Sequence, residues 1–200
     1  MSSKAYRYHT RINYATLLFC LVSWLITSEA RAQFGPFTPD SIPLVGDEVC
    51  FTYQLKGNVS KEEMQKRTHY YLDHDLDPYS GGFVVSTPDS IKCRVADYLE
   101  IESNMLNVFG MYMTYELLFV FTEGSCDLTI SGIRFMEKSL FERQEETARE
   151  LYFTEYTGKE MMVEKSYHQL FKKDPSTRIT HAAIERFNKI VRSLRIYFVD

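Results

Sequence analysis

The stretch THYYLDHDLD, Thr68 to Asp77, puts two histidines and three aspartates within ten residues. Imidazole nitrogens and carboxylate oxygens are transition-metal ligands, and such a site needs three or four of them converging at about 2.0–2.2 Å. Calcium takes oxygen-rich loops, but the spaced ligands and central glycine of an EF-hand are missing here. A helix advancing 100° per residue puts Met64, Thr68, Tyr71 and Leu72 on one stripe. His69 and Asp73 then lie one turn apart on the polar side, where they can pair. His74 falls about 100° further round. A helix therefore splits the cluster. The metal candidate becomes His69 and Asp73, completed by Asp75 or Asp77 folding back from the loop. The competing reading is a solvated helix end with a surface His69–Asp73 pair, worth under about 1 kcal/mol. We expect no resident metal and no cofactor.

Other chemistry is sparse. GxSxG, HExxH and a glycine-rich phosphate loop are all absent, and Thr157-Gly158-Lys159 lacks the flanking residues of a P-loop. No catalytic residue is assigned. Two apolar features are interaction candidates instead. Met105, Leu106, Val108 and Phe109 sit in NMLNVFG, a segment that should turn between strands, where polar residues are usual. They could meet a partner protein or a membrane surface; alternatively the segment folds back over the sheet, or the strands extend through it. Tyr98, Tyr112, Leu118 and Val120 should share the second face of the sheet, open to a ligand unless the segment Lys138 to Lys173 packs over it. Arg186, Lys189, Arg192 and Arg195 should form a solvated outer face on the last helix.

The N-terminus reads as a secretory signal peptide: basic Lys4, Arg7 and Arg11, an apolar run from Tyr14 to Ile26, and Ala30-Arg31-Ala32 for cleavage. Thirteen apolar residues fall short of the roughly 20 that span a bilayer, so no stable transmembrane anchor is expected. Cleavage after Ala32 would remove Lys4, Arg7, Arg11, Arg31 and Glu29, taking the net charge from −4 to −7. That acidity opposes a nucleic-acid partner. It would also remove Cys20, leaving Cys50, Cys93 and Cys126. An odd number without CxxC spacing reads as buried thiols rather than a disulfide scaffold. The expected location is periplasmic or extracellular.

These residues need elements to hold them. Gln33 to Pro43, with three prolines, reads as an extended and mobile lead. Val49 to Leu55 alternates as a strand. Ser60 to Glu63 is a capping box opening a helix that runs to about Leu72 or Asp75. Phe83 to Ser86 is a short strand. Ile91, Cys93, Val95, Leu99 and Ile101 share one face of the next strand, with Asp97 the polar exception. Met113, Tyr115, Leu117, Phe119 and Phe121 share one face of another. Cys126, Leu128 and Ile130 continue a third, and past Gly132 the parity shifts to Ile133 and Phe135, which indicates a bulge. Lys138 begins helically, and Lys159 to Lys173 is helix-like. Ala183, Phe187, Ile190, Val191, Leu194 and Phe198 form the stripe of a last helix.

Three features resemble a family of secreted bacterial domains of unknown function with a TATA-box-binding-protein-like (TBP-like) fold. They are the opening strand with Gly57-Asn58-Val59-Ser60-Lys61-Glu62, the pair Tyr70-Tyr71, and the glycine-containing turn before the last long strand. The final helix fits too. The resemblance implies an α+β fold, one antiparallel sheet in the order β-α-β-β-β-β-α with helices mainly on one face. It carries over no activity. The expected organisation is a signal peptide (1–32), a lead (33–43) and one domain (44–200), with a charged helical insertion at 138–173 and a closing helix at 176–199. The expected role is noncatalytic binding of an envelope protein or small ligand. A hydrolase with an unrecognised site and a structural subunit are the alternatives.

Overall fold

A computed structural model describes residues 35–76, 83–104, 107–147, 155–168 and 174–199. Residues Gly35–Asp200 group as one compact unit. Its strands are β1 (Leu44–Val45), β2 (Glu48–Val49), β3 (Phe51–Lys56), β4 (Phe83–Ser86), β5 (Ser90–Asn104), β6 (Asn107–Thr122), β7 (Ser125–Glu137) and β8 (Tyr156–Thr157). Its helices are α1 (Lys61–His74), α2 (Lys138–Thr147) and α3 (Pro175–Tyr197), with one π-helical turn at Lys159–Val163.

The main sheet has the order β3-β7-β6-β5-β4 and is antiparallel at every pairing. Strands β4 to β7 form the expected meander. The first strand, β3, joins the far edge beside β7, with Phe51 opposite Ile130 and Lys56 opposite Ser125. Alternation decides which face is covered. Met111, Met113, Tyr115, Leu117, Phe119 and Phe121 of β6 are all buried, while Tyr112, Thr114, Glu116 and Leu118 between them are half-buried. Helix α3 lies against the buried face: its Phe187 ring is 5.3 Å from Tyr115 and 5.4 Å from Phe51. The six residues of the anticipated α3 stripe are buried, Ala183, Phe187, Ile190, Val191, Leu194 and Phe198. Each large apolar side chain so buried is worth roughly 1.5–3 kcal/mol, so this stripe is ample reason for the helix to dock.

Helix α1 starts as its sequence requires. The Ser60 hydroxyl accepts from the Glu63 backbone N–H at 3.3 Å, the usual bond of a serine N-cap. Met64, Thr68, Tyr71 and Leu72 are its buried residues, as the 100° periodicity predicts. The shift in β7 is also present. Gly132 and Ile133 together oppose the single residue Tyr115, because Glu116 pairs with Ser131 and Thr114 with Arg134. Gly132 adopts φ +61°, a left-handed conformation that glycine enters without steric cost. The bulge resets the alternation, so Ile133 and Phe135 face the core that Leu128 and Ile130 already face.

Three expectations are corrected. From Gly35 onward the N-terminal lead is strapped down rather than mobile. Asn188 on α3 accepts from the Phe37 N–H at 3.0 Å and donates to the Phe37 carbonyl at 2.9 Å. The Phe37 ring packs 4.9 Å from Phe51, and β1 and β2 form a small hairpin behind it. The helix expected over Lys159 to Lys173 is only the turn Lys159–Val163, followed by non-helical backbone from Ser166 to His168; residues 169–173 are outside the described set. The Glu160 carboxylate holds that turn, accepting from the Thr157 N–H and hydroxyl at 2.8 Å each, while Met161 and Met162 are buried. Just before it, β8 extends the β3 side of the sheet by pairing with Arg134 and Phe135. Cys93 and Cys126 are buried free thiols, but Cys50 is only half-buried: it lies between β2 and β3, off the buried face.

Candidate interaction surface

The sheet face opposite α3 carries the four anticipated residues. Tyr98 and Tyr112 are directly opposed on β5 and β6, with rings 5.2 Å apart and tilted by 55°. Leu118 and Val120 follow toward the other end, half-buried and 38% exposed respectively. Helix α2 crosses onto this face at the tyrosine end. Its Phe141 stacks on Tyr112 at 3.9 Å and 13°, and Lys138 Nζ sits 5.1 Å from the Tyr98 ring centroid. A cation at that distance is attracted by the ring's negative face. Helix α2 thus caps the aromatic end, while Val120 stays exposed and Leu118 half-buried.

A charged band separates the two ends. Glu116 pairs with Lys92 at 2.8 Å and with Arg94 at 3.4 Å. The Lys92 hydrogen bond leads in holding the Glu116 carboxyl below its ordinary range. Such exposed pairs add little stability, under about 1 kcal/mol each, but they fix the charge pattern of the face. A shallow cleft of about 300 Å³ opens at the aromatic end between Tyr98, Phe109, Glu137, Lys138, Glu142 and Tyr167. Tyr98 reaches this end because Gly110 has no side chain: a Cβ there would lie 2.4 Å from the Tyr98 hydroxyl.

The hairpin candidates fare differently. Phe109 is buried in the core rather than offered to a partner. Its strand does not end at Gly110 but continues to Asn107, facing Asn104 across the turn. The apolar residues of NMLNVFG are therefore strand as far as Asn107. Met105 and Leu106 lie outside the described residues, as does the side chain of Val108.

The histidine–aspartate cluster is dispersed. His69 Nε2 lies 3.4 Å from Ser86 Oγ on β4. Asp73 is exposed. Asp75 caps α1 and accepts a hydrogen bond from the Tyr197 hydroxyl at the end of α3. That bond pushes the Tyr197 pKa up to about 12. His74 stacks on Tyr70 at 4.1 Å and bonds the Tyr70 carbonyl oxygen through Nδ1 at 2.9 Å. Asp77 is outside the described residues. Among the described residues, no three His, Cys, Asp or Glu side chains converge as a metal site would require. A second shallow groove, about 410 Å³, lies between α1 and α3, lined by Lys66, Arg67, Tyr70, Ile196 and Tyr197.

One polar constellation was not anticipated. Asp97, on the buried face of β5, receives Arg186 Nε at 2.6 Å and Nη2 at 2.9 Å. It also accepts from the Tyr115 hydroxyl at 2.6 Å. Burial, and then the Asp97 charge, hold the Tyr115 pKa well above its ordinary value. Arg186 was expected on a solvated outer face, but it turns inward because a buried carboxylate needs a counter-charge. The signal in the sequence was Asp97 itself, a charge on an apolar strand face. Of the other basic residues, Lys189 and Arg195 are exposed, and Arg195 lies over the Tyr53 ring at 5.8 Å.

Sheet order, helical cover and the opening strand–helix unit together define an α+β domain of the TBP-like kind. No family model matches the sequence, and no curated protein matches it. Two solved structures share the fold. A DUF4468 family protein from Bacteroides ovatus aligns with a TM-score of 0.59 at 13% identity, over 84% of this chain and 94% of that one. A TBP-like protein from Parabacteroides distasonis aligns with a TM-score of 0.58 at 11% identity, over 78% of this chain and 96% of that one. Both agree with the resemblance read from the sequence, to uncharacterised domains with a TBP-like fold, and at such identities the likeness is one of fold.

Proposed function

We propose that the chain is an exported, noncatalytic binding domain that works through the sheet face opposite α3. The observation that carries this reading is the partial cover of that face. Helix α2 closes only its Tyr112 end, leaving an apolar strip at Leu118 and Val120 beside the Lys92–Glu116–Arg94 band. Aromatic and aliphatic side chains framed by fixed charges are the usual make-up of a recognition surface. Export rests on the signal-peptide pattern of residues 1–32.

Affinity capture from envelope extracts tests the binding role. Leu118→Glu and Val120→Glu should each lose a partner that the parent chain and Lys189→Glu, at an exposed position of α3 on the other side of the sheet, both retain. Retention by all four proteins would reject this face. Cleavage is read by mass: the protein recovered from the envelope should begin at Gln33, and an intact residue 1–32 segment would reject the signal peptide.

The hydrolase alternative has one observation to draw on, the approach of Ser86 Oγ to His69 Nε2. The contact is 3.4 Å long and exposed, whereas an activated nucleophile wants a bond of about 2.6–3.2 Å to an oriented base. An esterase assay in which Ser86→Ala abolished turnover would revive that reading.

A further inference from the structure

We propose that the groove between α1 and α3 binds a small amphipathic carboxylate, with its apolar body against Tyr70, Tyr197 and Ile196 and its charge on Lys66. The groove belongs to the α3 side of the sheet, so the proposal is independent of what the outer sheet face binds. Its volume, about 410 Å³, falls in the range of roughly 300–1,000 Å³ usual for small-molecule sites. Strand β4, which follows α1, lies against the other flank of that helix. Gln65 Nε2 donates to the Thr87 carbonyl at 2.6 Å, and His69 is beside Ser86. Arg67 and Tyr70, on the groove flank, are about 150° round the helix from Gln65 and His69.

Most polar groups of the groove are engaged within the fold. Arg67 donates through Nε to Glu63 at 2.8 Å and through Nη1 to the Tyr197 carbonyl at 3.0 Å. The Tyr197 hydroxyl donates to Asp75. What the groove offers a ligand is therefore mainly apolar. Tyr70 stacks on His74 at 4.1 Å, yet it is 53% exposed, and Ile196 is 76% exposed. The Tyr70 and Tyr197 ring centroids are 6.0 Å apart, a spacing that gives a flat apolar body two rings to lie against. Covering such side chains is favourable in proportion to the apolar area removed from water. Lys66 supplies the charge. Its side chain is 80% exposed, and Glu63, already held by Arg67, is 3.9 Å from its ammonium, beyond hydrogen-bond reach. That ammonium has room for a second carboxylate, and with Arg67 beside it the rim repels a cation. Two copies of the same basic rim would also repel one another, which disfavours self-association through this groove.

Titration of naphthoate into protein purified from the envelope, followed by the Ile196 methyl NMR signals, tests this. The signals should shift and saturate with a dissociation constant on the order of 0.1 mM, while those of buried Ile133 stay in place. Naphthylmethanol and naphthylmethylamine carry the same rings without the carboxylate, and should bind about tenfold more weakly or worse. Lys66→Glu should weaken naphthoate by about tenfold or more without changing the alcohol, whereas Tyr70→Ala should weaken both. Melting temperatures confirm that each variant is folded. Ile196 signals that stay still up to about 10 mM naphthoate overturn the proposal. So does an alcohol that binds as tightly as the acid, and so does saturation unchanged in both variants. Self-association in sedimentation velocity that Ile196→Asp abolishes would give the groove to a second copy. An envelope protein that Tyr70→Ala fails to capture, and that naphthoate fails to displace from the parent, would give it to a protein partner. Either result rejects the small carboxylate.

Discussion

Arg186 grips both carboxylate oxygens of Asp97, so the last helix is tied to the middle of β5 through a charge pair mostly removed from water. Breaking one side of such a pair strands the other charge, which costs about 3–5 kcal/mol. Asp97→Ala and Arg186→Ala should each lower unfolding free energy in urea by about 3 kcal/mol. The double variant Asp97→Leu with Arg186→Met removes both charges and should cost less than either single change. If the double cost equals the sum of the singles, the two residues do not act as a pair.

Asn188 should be the residue that holds the N-terminal strap. It makes both of its bonds to Phe37, and Gly35 lies so close that an added Cβ would sit 2.2 Å from Asn188 Cγ. Asn188→Ala should cost about 1–3 kcal/mol, the usual loss when bonded polar groups are left unsatisfied. It should also make the segment before β1 a new site of limited proteolysis. Gly35→Ala should show the same cleavage, since it displaces the same side chain. Unchanged proteolysis in both variants would mean the strap is held by Phe37 packing alone.

The thiols predict alkaline behaviour. Burial pushes the pKa values of Cys93 and Cys126 from 9.0 to about 12. In the unfolded chain both would ionise near the ordinary value, so between 9.0 and about 12 the native state holds more protons. Stability must then be intact below pH 9.0 and fall as pH rises through that window. Tyr71 and Tyr115, also raised by burial, act in the same direction at higher pH. In protein lacking residues 1–32, a chromogenic disulfide reagent at mild pH should label half-buried Cys50 first. Cys93 and Cys126 should react only on unfolding. Equal rates for all three would contradict their burial.

Phe109 offers a direct check on the hairpin. Its side chain is buried, so Phe109→Ser should destabilise by about 3 kcal/mol or more, as large-to-small core changes do. A surface contact residue would leave the melting temperature nearly unchanged.

Local order was well marked in the sequence. Ser60 and the Met64–Thr68–Tyr71–Leu72 stripe defined α1, because a cap and a helical period are set by neighbours within a turn or two. Gly132 with the parity change at Ile133 marked the bulge for the same reason. What the sequence did not disclose depends on distant partners. Phe37 and Asn188 are 151 positions apart and Asp97 and Arg186 are 89 apart, so although Asp97 stood out on its strand face, neither pairing could be read from neighbouring residues. Strand β8 is two residues long, too short for alternation to register. Of the proposed site, the shared face of Tyr98, Tyr112, Leu118 and Val120 was visible from strand parity. Its partial closure by Phe141 depends on how α2 turns after β7, which no local pattern encodes.

The place of β3 at the sheet edge also governs the order in which the molecule can assemble. Phe51 is made early but its partner Ile130 late, while β4 to β7 need only their immediate neighbours. Non-local pairing must wait until its loop-closure entropy can be met. A chain emerging N-terminus first therefore carries β3 and the Phe37 strap as waiting segments until β7 and α3 arrive. The meander is the natural template, and β3, the Phe37 strap and α3 close over it together as the final step.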